Sequence, residues 1–151
     1  MSALRAEEWQ RWKAIRLTSL AEAPYAFGST YAEAITFNDD EWISHLDRGP
    51  YLIAEQEGLD VGVVRLAPDD EVGLWWLYSL WIAPEARGTG LITMLLEAAE
   101  ETARNHGARE LRLDVAKDNE RAIAAYVSHG YEPFDDQVEP DNLERMFSKA
   151  L

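Results

Sequence analysis

One nine-residue segment near the middle of the chain restricts the fold more than any other feature. Residues Leu74 to Ile82 read LWWLYSLWI, in which Ser79 is the one residue that is neither aliphatic nor aromatic. A continuous apolar run of this length is typical of a strand that is buried on both faces. Such a strand needs a covering layer on each side, so the segment predicts the centre of a sheet flanked by helices.

The spacing of apolar residues predicts further helices and strands on both sides of this segment. Helices are expected over about Ala6 to Leu20, Ser29 to Phe37, Asp39 to Asp47 with Asn38 as N-cap, Gly90 to His106, and Glu120 to His129. Strands are expected over Tyr51 to Ala54, Val61 to Leu66, Leu111 to Val115, Tyr131 to Phe134, and Leu143 to Ser148. The first two of these strands form a hairpin, and the alternation that follows implies parallel pairing. The predicted fold is therefore mixed α/β with one central sheet.

Length and charge limit the classes of protein to which the chain can belong. Its 151 residues predict one domain, residues 1–151, and its formal net charge is −14. No apolar run approaches the roughly 20 residues that a membrane-spanning helix needs. Because an acidic surface repels nucleic-acid phosphates and anionic lipids, neither nucleic acid nor membrane is expected as a partner. The same charge attracts cationic ligands, although a solvated acidic surface explains it equally well.

The cysteine and histidine content of the chain limits the chemistry that it can carry out. The chain has no cysteine, which excludes disulfides, thiol nucleophiles and zinc–sulfur sites and fits a cytoplasmic location. The three histidines lack the spacing of metal ligands, so no metal site is expected.

The segment after the central strand has the composition of a phosphate-binding loop. Pro84 ends the strand, Arg87, Gly88 and Gly90 follow, and a helix is predicted to start at once. Glycines let backbone N–H groups approach a ligand, and the helix N-terminus adds about half a positive charge. Together they favour phosphate or pyrophosphate, with Arg87 as an ionic clamp, although a plain strand-to-helix turn has the same composition.

Two familiar phosphate loops do not fit this segment. A Walker loop needs Lys followed by Ser or Thr after its last glycine, and Leu91 and Ile92 stand there. The dinucleotide fingerprint needs a third glycine or alanine, and Thr93 occupies that position.

A second candidate binding surface lies on the predicted helix that begins near Glu120. Asn119, Ala122, Ile123 and Tyr126 stand at i, i+3, i+4 and i+7, so they share one helical face. Seven residues span about 10 Å along the axis, which suits an extended ligand with polar contacts at both ends. Taken alone, Asn119 is also a good N-cap and Tyr126 a common type of core aromatic residue.

Together the two segments closely resemble the signatures of the GCN5-related N-acetyltransferase (GNAT) family. The first matches as Leu80-x-Ile82-x-Pro84-x-x-Arg87-Gly88-x-Gly90-Leu91. The second matches as Leu111-x-Leu113-x-Val115-x-x-x-Asn119-x-x-Ala122-Ile123-x-x-Tyr126-x-x-x-Gly130-Tyr131. Ile92 departs from the pattern, since the family usually has Gly or Ala at that position. The family also begins with a strand, whereas this chain starts almost directly in a helix, so its first strand is expected to be a stub or missing. An exposed sheet edge of that kind can pair between chains, and a homodimer is possible.

The resemblance implies that the loop and helix bind acetyl-CoA and that an acetyl group passes directly to an amine in a ternary complex. It assigns these residues to acetyl-CoA: Leu80, Trp81, Ile82, Arg87, Gly88, Thr89, Gly90, Leu91, Ile92, Thr93, Asn119 and Tyr126. In the family a backbone N–H, here that of Ile82, stabilises the oxyanion. Tyr126 is implied as the general acid that protonates the CoA thiolate.

The resemblance places the acceptor amine, which the net charge suggests is cationic, beside Phe27, Tyr31, Glu33 and Tyr78. Many family members have a glutamate on the central strand as general base, and here Trp76 takes that place. Glu33, Asp114, His45 and a water relay all stay open for this role. A catalytically idle acyl-CoA-binding module is the alternative function.

Overall fold

The computed structural model describes residues 1–24, 30–134 and 143–151, and their seven strands form one sheet flanked by helices. The strands are β1 (Ser2–Ala3), β2 (Tyr51–Gln56), β3 (Leu59–Pro68), β4 (Leu74–Ile82), β5 (Glu110–Ala116), β6 (Glu132–Pro133) and β7 (Glu144–Ala150). The helices are α1 (Trp9–Glu22), α2 (Tyr31–Ala34), α3 (Asp39–His45), α4 (Leu91–Asn105) and α5 (Glu120–Ser128). The sheet order is β1-β2-β3-β4-β5-β7-β6, and only the β4–β5 pair is parallel. The predicted mixed α/β class is confirmed.

The short first strand matches the stub that the sequence predicts. Ser2 and Ala3 pair antiparallel with Ile53 and Leu52 of β2, at the edge of the sheet. The β2–β3 hairpin closes through Glu57 and Gly58, which both have positive φ, as a two-residue turn between twisted strands requires.

Helix α2 is shorter than the sequence predicts. The apolar spacing suggested a helix from Ser29 to Phe37, but α2 covers four residues after its N-cap Thr30. The chain makes a second start at Asn38, whose side chain accepts a hydrogen bond of 2.9 Å from the Glu41 amide and caps α3. A new N-cap needs extended backbone, so it interrupts the helical pattern.

The two faces of the sheet carry different helices. On β3, a side chain at Gly62 would meet Leu91 and Leu95, so α4 packs against that face. Arg65 points the other way, because successive strand residues alternate, and it pairs in register with Tyr51. The Tyr51 ring lies 4.6 Å from Trp12 of α1, which places α1 on the opposite face.

Strands β4 and β5 separate after a short region of pairing, and this separation positions the site. Only Leu74, Trp75 and Trp76 of β4 pair with β5. Further along β4, Ser79 has a φ of 59° and the register with β3 shifts by one residue, which is a β-bulge. Bulges bend a strand, so the carboxyl half of β4 leaves β5 and a cleft opens between them.

Candidate active site

The loop after β4 exposes its backbone to the cleft. Gly88 and Gly90 have φ values of 78° and 84°, a conformation that glycine adopts without strain. A Cβ built on either would meet no described heavy atom within 4 Å, so their surroundings are open. Gly90 is the N-cap of the 15-residue helix α4, whose first amides face this space without helical partners. The geometry is that of an anion cradle.

Arg87 is tied to the protein rather than presented as an unpaired charge. Its Nε donates to the Ile82 carbonyl at 3.0 Å and its Nη2 donates to Glu22 Oε2 at 2.9 Å. The same carboxylate oxygen accepts the indole N–H of Trp81 at 2.9 Å. Burial raises the pKa of Glu22, but the hydrogen bonds from Trp81 and Arg87 outweigh it and the pKa is lowered. Arg87 therefore joins the loop to α1 while still lining the cleft.

The predicted loop and helix face meet at one cleft of about 670 Å³. Ten of the twelve residues that the resemblance assigns to acetyl-CoA line it: Leu80, Trp81, Ile82, Arg87, Gly88, Gly90, Leu91, Ile92, Asn119 and Tyr126. Thr89 and Thr93 are not among the lining residues. The Thr89 hydroxyl donates to the Ala86 carbonyl at 2.5 Å, and the Thr93 hydroxyl lies 2.8 Å from His129 Nε2.

Asn119 and Tyr126 line the cleft from the side of α5. The Asn119 side chain accepts a hydrogen bond of 3.3 Å from the Ala122 amide, so it caps α5 and lines the cleft at once. The Tyr126 side chain is 6% exposed, and its ring meets that of Tyr131 edge-on at 5.9 Å. Burial raises the pKa of Tyr126 above its ordinary value, which keeps the phenol protonated at neutral pH.

A second, smaller cavity of about 180 Å³ adjoins the cleft on the α1 side. The two share Arg16, Arg65 and Ser79 as lining residues. Half of its other lining residues carry aromatic rings, and these residues are Trp12, Leu20, Thr30, Glu33, Ala34, Phe37, Trp42, His45, Arg48 and Tyr51.

The four residues predicted to border the acceptor do not share one environment. Glu33 lines the small cavity and Tyr78 lines the large cleft, where the Arg65 guanidinium lies 4.2 Å from its ring centre. Tyr31 is 42% exposed and lines neither space. Phe27 lies outside the described residues.

Sequence reasoning missed the arginines of this region. Arg16 lies on the inward face of α1 and Arg65 interrupts an otherwise buried run in β3. The sequence does contain a signal for them: each arginine stands among apolar residues on the inward face of its element, and an arginine is rarely buried unless it is paired. Desolvation lowers the pKa of Arg16 to about 10, so it stays charged at neutral pH.

The candidate bases differ in what they can do. His45 Nδ1 accepts a hydrogen bond of 3.2 Å from the Trp12 indole N–H, and burial, aided by nearby arginines, lowers the pKa of His45. A neutral imidazole that accepts at Nδ1 carries its proton on Nε2, so His45 offers a donor rather than a base there. Asp114 is exposed and lines the large cleft.

The cleft fits a long ligand with an anionic group at one end. The amides at the start of α4 suit a pyrophosphate, and the distance to Tyr126 is bridged by one continuous space. No group of His, Asp and Glu that could hold a metal ion occurs among the described residues. None of the helices in ranges 1–24, 30–134 and 143–151 has the length and apolarity to cross a membrane.

Comparison with known proteins gives a consistent result. The model of the Acetyltransferase (GNAT) family matches residues 9–131. Over 78 residues the chain is 38% identical to a mycothiol acetyltransferase of Jonesia denitrificans, covering 52% of this chain and 25% of that protein. The chain thus spans about a quarter of that relative's length.

Two solved structures have the same fold. A GNAT-family acetyltransferase from Streptococcus pneumoniae superposes with a TM-score of 0.79 at 21% identity, covering 99% of this chain and 97% of that one. The PaiA N-acetyltransferase from Thermoplasma acidophilum, in complex with coenzyme A, superposes with a TM-score of 0.76 at 19% identity over the full length of both chains.

Proposed function

Because the chain belongs to the acetyltransferase (GNAT) family, we propose that it is an N-acetyltransferase that moves the acetyl group of acetyl-CoA to a primary amine within one ternary complex. One observation carries the proposal: the glycine loop and the face of α5 that bears Tyr126 line a single cleft. The loop amides can bind phosphates, and the Tyr126 phenol lies elsewhere on the same cleft. This arrangement suits a coenzyme that has phosphates at one end and a reactive group at the other.

The backbone around Gly88 and Gly90 holds the pyrophosphate in this proposal. The amides that begin α4 have no helical acceptors, and the helix dipole favours negative charge there. Ile92 differs from the family pattern only in its side chain, so its amide remains part of the cradle. Arg87 fixes the loop through Glu22 and Ile82, which keeps the amides in place.

Acetyl-CoA supplies an acetyl group that is activated as a thioester and a thiol that leaves. Tyr126 gives its phenolic proton to the departing sulfur, a step for which a protonated group at neutral pH is required, and the proton that the nitrogen loses after its attack restores the phenol. The backbone N–H of Ile82, at the end of β4, stabilises the negative charge that develops on the carbonyl oxygen.

The acceptor enters from the side of the small cavity, which meets the cleft at Arg65 and Ser79. The amine must lose a proton before it attacks, since an ammonium group has no lone pair. Asp114 is exposed and lines the cleft, so water beside it can carry this proton to solvent. Location in the cytoplasm and formation of a homodimer stay predictions from the sequence.

The test is a thiol-release assay with acetyl-CoA and a panel of primary amines: amino acids, polyamines, aminoglycosides and lysine peptides. Release above the acceptor-free background, together with mass spectrometry of an N-acetylated product, is the expected result. Calorimetric binding of CoA is measured in parallel. Tight CoA binding without turnover of any amine would contradict the enzymatic proposal and favour an acyl-CoA-binding module.

A further inference from the structure

The small cavity is basic in a protein that is strongly acidic. The chain as a whole carries a net charge of −14, yet Arg16, Arg48 and Arg65 all line this 180 Å³ space. Glu33 is the one carboxylate among the described residues that line it, and it is exposed. The chain is therefore acidic overall, whereas the cavity is lined mainly by positive charges, and a ligand in the cavity interacts most strongly with those nearby charges.

The arginines crowd one another around Tyr51. Burial lowers the pKa of Arg65, and the positive charge of Arg48 contributes in the same direction. Arg65 likewise adds to the lowering of the pKa of Arg16 that burial begins. Like charges brought together in a partly desolvated space repel, and an anion between them relieves that repulsion.

Aromatic rings hold two of the guanidinium groups in place. Arg65 lies 4.2 Å from the ring centre of Tyr78 and 5.9 Å from that of Tyr51. Arg16 lies 5.8 Å from the ring centre of Trp12. The Arg65 guanidinium that lies on the Tyr78 ring keeps an N–H edge available to bind, so this ring positions the Arg65 donors without consuming them.

One neutral group adds a donor to the same space. His45 accepts from Trp12 at Nδ1, which leaves its proton on Nε2. A cavity wall with many donors and one exposed carboxylate is complementary to a ligand group that only accepts hydrogen bonds.

We propose that the acceptor amine carries a carboxylate, as a free amino acid does, and that Arg48 and Arg65 hold this carboxylate in the small cavity. The inference rests on the proposed acetyl transfer. Because Arg65 also lines the cleft, a carboxylate bound to it leaves the amine of the same molecule at the junction with the cleft. The cavity is smaller than the spaces of about 300–1,000 Å³ that hold drug-sized ligands, which favours a small acceptor over a polyamine or aminoglycoside.

This inference differs from the sequence-based expectation of a cationic acceptor. That expectation used the net charge of the chain, which acts at long range and is screened by salt. Binding in a partly buried cavity depends on the nearest charges, where screening is weaker.

The experiment compares acceptors that differ only in the carboxylate. Thiol release is measured for L-alanine, L-methionine and L-phenylalanine, each against its amide, with spermidine as a cationic comparison. Removing the carboxylate lowers the pKa of the amine and provides more free base, so this bias opposes the expected result. At least one acid is expected to have a kcat/KM about 10- to 100-fold above that of its amide, the value of one or two charge-assisted hydrogen bonds.

Two variants assign the preference to the arginines. Arg65→Gln is expected to raise the KM of the preferred acid about 10- to 100-fold and to leave the KM of acetyl-CoA within about twofold. Arg48→Gln changes an exposed residue, so it keeps the fold and is expected to have a smaller effect in the same direction. Arg48→Lys is expected to restore part of the loss. Arg5→Gln removes the same charge at a side chain that is 74% exposed and serves as the matched control.

Binding is measured separately from turnover in protein saturated with CoA. N-acetyl-L-methionine is expected to raise the Tm, whereas its amide is not. If no amine is acetylated but the acid alone stabilises the protein, the anion site stands and the transferase proposal fails. If amides or spermidine react as well as the acids, the anion site is wrong and the transferase proposal stands. An acid preference that survives in both Gln variants would overturn the assignment to these arginines.

Discussion

At the α4 end of the cleft, the candidate ligand-binding groups belong to the backbone of a single loop, whereas at the α1 end they are side chains on separate elements. Gly88 and Gly90 expose their amides, and the neighbouring Arg87 is already paired with Glu22. The small cavity instead collects Arg16 from α1 and Arg65 from β3. Backbone amides recognise any phosphate in the same way, while side-chain cations can differ between relatives. In the proposed function the two ends therefore have different roles: one binds the coenzyme and the other selects the acceptor.

The largest effect is expected at Tyr126, the buried phenol that lines the cleft. Tyr126→Phe removes one oxygen and retains the ring that packs on Tyr131. We expect kcat to fall about ten- to ten-thousand-fold, the usual contribution of general acid catalysis, with the Kd of CoA within about twofold. Steady-state thiol release and calorimetry measure the two quantities.

Unchanged turnover in this variant would remove Tyr126 from the mechanism. A large rise in the Kd of CoA would instead show that Tyr126 contributes to CoA binding, and its proposed role as general acid alone would be wrong.

The next effect tests whether the loop binds through its backbone. Gly90→Asn places a side chain in open space, and Asn tolerates the left-handed conformation at φ 84°, so the protein is expected to fold. The side chain should stand where the pyrophosphate binds and raise the Kd of CoA about 10- to 100-fold. Gly58→Asn is the matched control, since Gly58 has φ 79° and open surroundings in a hairpin turn. Equal CoA affinity in both variants would show that the cradle lies elsewhere.

A smaller effect is expected from the ion pair behind the loop. Glu22→Gln keeps an acceptor for Trp81 but removes the charge opposite Arg87, and we expect about 0.5–1 kcal/mol less free energy of unfolding at pH 7. CoA affinity should change less than threefold if, as we propose, the amides rather than Arg87 hold the phosphates. A tenfold loss of CoA affinity with unchanged stability would make the Arg87 charge itself the clamp.

The same pair has a defined pH dependence. The pKa of Glu22 is lower in the folded protein than the usual 4.5, so its contribution is present above about pH 4.5 and is lost as the pH falls through the folded value. Urea denaturation of the wild type and of Glu22→Gln should therefore give free energies that converge below pH 4.5. A constant difference down to pH 3 would contradict this assignment.

The smallest effect concerns His45 at the acceptor end. Burial lowers its pKa below the usual 6.5, so its contribution to stability is present above about pH 6.5 and is lost as the pH falls. Between pH 7.5 and 5.5 the Tm of the wild type should fall by up to about 2 °C more than that of His45→Gln, since His45 is partly exposed. A smaller fall in the wild type than in the variant would mean that His45 is stabilised as the cation.

The difference between the two ends also explains what could be read from the sequence. The loop around Gly90 and the face of α5 with Asn119 and Tyr126 depend on local spacing, and the structure brings both to one cleft. The central strand Leu74–Ile82 has the predicted bounds, but it is less buried than the sequence predicts: Tyr78 is exposed, and most of the residues that follow it are only partly buried because they border the cleft.

The acceptor end could not be predicted because it depends on long-range contacts. Arg16 comes from α1 and Arg65 from β3, which are far apart in the sequence. No local sequence pattern predicts that these two arginines come together. Net charge points to a cationic acceptor, whereas the arginines that line the small cavity are the basis of our proposal of an acceptor with a carboxylate.

A crystal structure of the protein with CoA and an N-acetylated amino acid is the most direct test. We predict the pyrophosphate against the amides of residues 88–92, the CoA sulfur beside the Tyr126 hydroxyl, and the product carboxylate against Arg65. A CoA molecule that binds away from the loop, or whose sulfur lies out of reach of Tyr126, would contradict the proposed acetyl transfer.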